Sequence, residues 1–131
     1  MSVGPGAKGA VKPRIVLVVD DDDMIRRLVR TVLEADDYDV VEARNGDIAL
    51  ELANEAHPAV VLLDIMMPGI DGVEVCRRLD HTAVKVVILT ARDDPLLEDA
   101  CKEAGADAFL TKPFSSVELL DLVASFASAT D

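Results

Sequence analysis

The chain has 131 residues, half of them hydrophobic, with two cysteines and a formal net charge of −12. That length suits one domain able to bury a core without disulfides, and the acidic balance argues against nucleic-acid binding, which needs a basic patch to neutralise phosphates. The longest unbroken apolar runs, such as 59–63, are too short to span a membrane, and residues 1–13 lack the apolar core of a signal peptide. A cytoplasmic protein without membrane contact is the expectation.

In chain order, residues 1–13 are rich in Gly, Pro and Ala and read as a flexible tail. Ile15–Val19 is a strand-length apolar run followed directly by four aspartates, Asp20 to Asp23. Ile25, Leu28, Val29, Val32 and Leu33 then recur at the spacing of one helix face, and Asp22 or Asp23 can cap that helix. Residues 38–42 form a weaker second strand. Gly46–Ala56 reads as a second helix, with Ile48, Ala49, Leu52 and Ala53 on one face, and His57-Pro58 breaks it. Residues 59–63 form a continuous apolar strand of the kind covered on both faces, ending at Asp64 before the turn-rich Met67-Pro68-Gly69.

Asp71 with Glu74 fits a capping box opening a short helix that turns Val75, Cys76 and Leu79 inward. Residues 84–89 form the fourth strand, which ends at Thr90. Asp94-Pro95 opens the next helix as cap and first residue, and Gly105 closes it as a left-handed cap. Residues 106–110 are a short fifth strand ending near Lys112-Pro113. Ser115 with Glu118 makes a second capping box, and Leu119, Leu120, Val123 and Phe126 line the last helix. Five strand-then-helix repeats imply α/β architecture around a parallel sheet. Cys76 and Cys101 lack metal-site spacing and read as reduced thiols among apolar neighbours.

The polar residues gather at the strand ends: Asp20 and Asp21 after the first, Asp64 after the third, Thr90 after the fourth and Lys112 after the fifth. In an open parallel sheet of order 2-1-3-4-5, ligands bind beyond these carboxyl ends, at the switch point between strands 1 and 3. By itself the acidic run reads as a solvated loop capping the next helix. Set beside Asp64, it reads instead as an all-oxygen site for a hard cation such as Mg²⁺. A carboxylate at Asp64 can attack phosphorus to form an aspartyl phosphate. A cation held by Asp20, Asp21 and Asp64 would offset the repulsion between carboxylate and phosphoryl group, with Lys112 supplying further positive charge and Thr90 a hydroxyl donor.

At these residues the chain closely resembles the receiver domain of two-component response regulators. The resemblance rests on Val-Val-Asp-Asp at 18–21, Leu-Leu-Asp-Ile-Met-Met-Pro-Gly-Ile-Asp-Gly at 62–72, Leu-Thr-Ala at 89–91 and Gly-Ala-Asp-Ala-Phe-Leu-Thr-Lys-Pro-Phe at 105–114. It implies a three-layer (βα)5 doubly wound fold over 14–127, with tails at 1–13 and 128–131. It implies that Asp64 accepts a phosphoryl group from a sensor histidine kinase or histidine phosphotransfer protein, with Asp20, Asp21, Asp64 and the backbone carbonyl of Met66 around Mg²⁺. It further implies that Thr90, Ala91 and Lys112 meet the phosphoryl group and that the Lys112-Pro113 bond is cis. Phe109 would turn inward on phosphorylation, reshaping the face of helix 4, strand 5 and helix 5 for a downstream target, an output domain or a second copy. Such a chain catalyses only its own phosphorylation and slow dephosphorylation.

Other readings stand beside these. Phe109 replaces the tyrosine of many relatives, so switching would act through packing; a plain core or surface aromatic fits as well. Met66 and Arg92, two places beyond Asp64 and Thr90, are read as slowing the attack of water on a phospho-aspartate. A Mg²⁺-dependent phosphatase of haloacid dehalogenase type would instead take Asp20 as nucleophile, and a metal-free degenerate receiver would only bind proteins. The chain can be a stand-alone regulator or a piece of one carrying an output domain.

Overall fold

The computed structural model describes residues 14–91 and 94–128. The tail expected at 1–13, residues 129–131 and Arg92 lie outside the described residues. Five strands alternate with five helices: β1 Ile15–Val19, α1 Asp23–Glu34, β2 Asp39–Ala43, α2 Gly46–Ala56, β3 Val60–Asp64, α3 Gly72–Arg78, β4 Lys85–Thr90, α4 Pro95–Glu103, β5 Ala108–Thr111 and α5 Ser116–Ser128. All pairings are parallel and the order is β2-β1-β3-β4-β5. This is the doubly wound arrangement expected from the sequence.

Side chains alternate between faces along each strand, and both faces are covered. Leu17, Val19, Val61, Leu63, Val86 and Ile88 pack with Ala49 of α2, Val75 and Cys76 of α3 and Cys101 of α4. Val16, Val18, Val60, Leu62, Val87 and Leu89 pack with Val29 and Leu33 of α1 and Leu119 and Val123 of α5. Coverage on both sides is why β1, β3 and β4 read as unbroken apolar runs rather than alternating ones. Both cysteines are buried and unpaired.

Helix caps decide where strands begin. β2 starts at Asp39, not Tyr38, because the Tyr38 N–H closes α1 on the Leu33 carbonyl at 3.1 Å, over a left-handed Asp37 with φ 67°. β5 starts at Ala108, not 106. The Ala106 N–H bonds back to Cys101 at 2.9 Å and the Gly105 N–H to Lys102 at 3.0 Å, a Schellman closure of α4 over Gly105 with φ 110°. Asp107 then takes the Val86 N–H on its own carboxylate at 2.8 Å. β3 and β4 each begin one residue later than expected and include Asp64 and Thr90 as their last residues. The last helix reaches Ser128, one residue past the expected end of the domain.

The caps behave unequally. Ser115 and Glu118 exchange bonds of 3.0 and 2.9 Å, a full capping box. Asp71 accepts the Glu74 N–H at 2.9 Å, but the Glu74 carboxylate turns to Arg77 and Arg78, so only half of that box forms. Gly72, the first residue of α3, lets the helix approach the end of β3. A Cβ there would lie 2.7 Å from the Ile65 Cα and 3.0 Å from the Asp64 carbonyl oxygen. Gly72→Ala is therefore expected to cost about 1–3 kcal/mol through backbone displacement, read as a lower urea midpoint; an unchanged midpoint would show that the helix shifts freely.

Candidate functional site

The switch point of the sheet lies where β1 and β3 run side by side, with Val19 opposite Leu63. Asp20 extends β1: its N–H bonds to the Ala43 carbonyl of β2 at 3.1 Å. Its carboxyl group is fully buried and engaged at both oxygens. Oδ1 accepts the Asp22 N–H at 2.9 Å and Oδ2 accepts Lys112 Nζ at 2.7 Å. Lys112 is delivered by the end of β5, where its N–H bonds to the Thr90 carbonyl at 2.7 Å and its peptide to Pro113 is cis.

Asp64, 5 % exposed, ends β3 beside this pair. Its Oδ1 accepts the Met66 N–H at 3.0 Å, and its Oδ2 lies 3.6 Å from Lys112 Nζ. Asp21 completes the group: one carboxylate oxygen from each of Asp20, Asp21 and Asp64 lies within 4.8 Å of the others. Asp21 is exposed, and its side chain has no hydrogen-bond or ion-pair partner among the described residues. Three carboxylates without a histidine or thiol form an oxygen donor set suited to a hard divalent cation.

The four consecutive aspartates thus have four fates. Asp20 takes Lys112; Asp21 stands open; Asp22 caps α1 by accepting the Met24 N–H at 2.9 Å; Asp23 pairs with Arg26. The last pair points to three residues the sequence did not single out. Arg26 also donates to the Asp20 carbonyl at 2.6 Å and to Glu42 of β2 at 3.0 Å, and Arg30 holds the second Glu42 oxygen at 2.6 Å. An arginine three residues after Asp23 is a legible helical pair. Glu42 needed the strand pairing.

Thr90 is buried as the last residue of β4, in register with Thr111, and Ala91 beyond it is exposed. Phe109 of β5 is half-buried, and with Thr90, Leu97 and Cys101 it borders a void of about 10 Å³. Met66 contributes its N–H, while its side chain is 65 % exposed.

Burial pushes the Asp64 carboxyl up to about 6, against the lowering pull of the Met66 N–H; the Asp20 charge adds to the rise and Lys112 opposes it. For Lys112, burial alone would lower the pKa, but the hydrogen bond to Asp20 and the charges of Asp64 and Asp20 hold it above the usual lysine value. For Glu42, burial would raise the pKa, and the bonds from Arg30 and Arg26 outweigh it and keep it low.

A raised carboxyl pKa means that the folded protein binds more protons than the unfolded chain between the two values, so this group's contribution to stability falls as pH rises through that window. In metal-free protein, Asp64→Asn removes that loss. The variant is expected to gain on the wild type by about 2 kcal/mol as pH goes from 4 to 7, measured by urea unfolding in chelator. A difference independent of pH would show that Asp64 titrates normally.

A family model described as the response regulator receiver domain matches residues 16–124. The chain belongs to that family. The receiver is 44 % identical over 106 residues to the transcriptional regulatory protein ResD of Bacillus subtilis, a match covering 80 % of this chain and 44 % of ResD. Among solved structures it resembles the chemotaxis protein CheY4 of Vibrio cholerae, with TM-score 0.83 at 29 % identity over 88 % of this chain and 99 % of that one. The receiver domain of Francisella response regulator 1452 superposes with TM-score 0.81 at 34 % identity, over 92 % of this chain and 100 % of that one. The receiver thus spans less than half the length of ResD but nearly the whole of these solved chains. Among the described residues no helix is long and apolar enough to cross a membrane.

Proposed function

We propose that this receiver takes a phosphoryl group onto Asp64 from a phosphohistidine of a sensor histidine kinase or histidine phosphotransfer protein, with Mg²⁺ held by Asp20, Asp21 and Asp64. The observation that carries it is the meeting of three carboxylates within 4.8 Å, with an ammonium 3.6 Å from the acceptor. The open Asp21 and the partly engaged Asp64 are the natural ligands, Asp20 adds its remaining lone pairs, and the family resemblance supplies the Met66 carbonyl. Mg²⁺ bound there lowers the repulsion between carboxylate and phosphoryl oxygens.

In the transfer, a carboxylate oxygen of Asp64 forms a bond to phosphorus as the P–N bond to histidine breaks, and the nitrogen keeps the electron pair. Lys112, held on Asp20, faces the phosphoryl oxygens and meets the charge that Asp64 delivers. Thr90 presents its hydroxyl from the end of β4. Hydrolysis reverses the state: water attacks phosphorus, inorganic phosphate leaves and the carboxylate returns. Met66 and Arg92, two places beyond Asp64 and Thr90 in the sequence, slow that attack. Apart from this self-phosphorylation and dephosphorylation, the chain acts as a signalling module rather than an enzyme.

The output passes through α4, β5 and α5. The void beside Phe109 has room for about one water, so an inward turn of the ring requires α4 to move, and that movement alters the surface offered to a downstream protein, an output domain or a second copy. ResD is a transcriptional regulatory protein, which favours a transcriptional output in the cytoplasm. A nucleophilic Asp20, as a dehalogenase-type phosphatase requires, fits poorly because both of its oxygens are already bonded.

Incubation with phosphoramidate and Mg²⁺, followed by intact mass and peptide mapping, tests the reading. One acid-stable, base-labile phosphoryl group on Asp64 is expected. Labelling of Asp20 would favour the phosphatase, and no labelling a receiver that only binds proteins.

A further inference from the structure

Arg26 reaches the acidic cluster from behind. Its side chain is 12 % exposed, and its guanidinium is shared among three elements: Nη1 donates to the Asp20 carbonyl at the end of β1 at 2.6 Å, Nε to Glu42 of β2 at 3.0 Å, and Nη2 to Asp23 in the first turn of α1. Glu42 is held in turn by Arg30 at 2.6 Å, and Arg30 by Glu34 at 2.8 Å. A planar guanidinium has fixed donor directions, so three bonds to three elements leave the Asp20–Asp21 peptide little freedom. An ion pair serving only α1 would need Asp23 alone. The bond to the Asp20 carbonyl is different, because that residue's own carboxylate belongs to the cluster and the next residue is the open Asp21.

A positive charge behind a cation site also repels the cation. Charge alone therefore predicts that removing Arg26 tightens cation binding, whereas geometry predicts the reverse. We propose that Arg26, braced by Glu42, is a positioning residue for the cation site: it fixes the Asp20–Asp21 peptide so that the unpartnered Asp21 carboxylate stands beside Asp20 and Asp64. This rests on the reading of that cluster as the Mg²⁺ site.

The test is a Mg²⁺ titration of the full chain followed by the amide resonances of Asp21, Asp22 and Met66, in wild type, Arg26→Met, Arg26→Lys, Arg30→Ala and Asp64→Asn. Arg26→Met keeps the packing stem and loses the fork. It is expected to weaken Mg²⁺ about tenfold, the scale of lost support behind metal ligands, despite shedding a positive charge, and to displace the Asp21 resonance before any Mg²⁺ is added. Arg30→Ala, which shares Glu42 but not the Asp20 carbonyl, should stay within about twofold of wild type, far below that scale. Unchanged or tighter binding in Arg26→Met, with binding still lost in Asp64→Asn, overturns the positioning role and leaves the cation site standing. Wild-type affinity indifferent to Asp64→Asn overturns the cation site and this role together. If Arg26→Met does not fold, Arg26→Lys decides: it keeps the charge, so weaker binding supports positioning and unchanged binding rejects it.

Discussion

Asp64→Asn is expected to reduce phosphorylation from phosphoramidate and Mg²⁺ by at least about a thousandfold, to below detection, because the amide has no anionic oxygen to attack phosphorus. The effect should be this large because no neighbour can substitute. Asp20 is fully buried with both oxygens bonded to Asp22 and Lys112, and Asp21 is exposed and would be engaged as a ligand of the cation. The fold should survive, since the amide can still accept the Met66 N–H and the substitution removes a carboxylate that burial disfavours. Intact mass spectrometry with a phosphate-chelating gel reads the result. Residual labelling above about one per cent of wild type, a loss roughly tenfold smaller than expected, would place the acceptor elsewhere.

Lys112→Met is the second large effect, and it should appear in two measurements. The Asp20 carboxylate has no exposure and takes its cationic partner from Lys112 at 2.7 Å. Breaking a buried pair by removing one member leaves an uncompensated charge, a loss of about 3–5 kcal/mol. Metal-free Lys112→Met should therefore be destabilised on that scale in urea unfolding. Saturating Mg²⁺ should restore part of the loss by replacing the missing charge beside Asp20. Asp20→Asn in the same background should also recover stability, because the orphaned charge disappears; the cycle then reports strong coupling between the two residues. Phosphorylation should fall about a hundredfold even where the variant is fully folded, since the ammonium 3.6 Å from Asp64 no longer meets the incoming charge. Additive single and double variants would mean that the contact contributes little.

How far the sequence reaches can be judged element by element. Ile15–Val19 and Gly46–Ala56 were legible to the residue because an unbroken apolar run or a three-and-four spacing is local information. Ser115 with Glu118 declared a helix start for the same reason. The start of β5 was not legible: Ala106 and Asp107 have apolar and polar character that fits a strand, but closure of α4 takes the Ala106 N–H and the Asp107 carboxylate takes a ladder position from Val86. The half-formed cap at Asp71 was hidden too, because Glu74 chose two arginines over the backbone N–H. Leu28, placed by spacing on the buried face of α1, remains 47 % exposed, since the apolar stripe is wider than the surface covering it.

By itself, then, the sequence determined the alternation of five strands and helices, the residues at each strand end and the family they resemble, because periodicity, capping and motif order are properties of neighbours along the chain. Only the tertiary structure decided which aspartate does what. Asp20 was set against Lys112 across 92 residues, Asp21 was left open, and Arg26 was tied to Glu42 through the pairing of β1 with β2. Those assignments depend on burial and distance, which arise only when strand ends far apart in the chain are brought to one edge of the sheet.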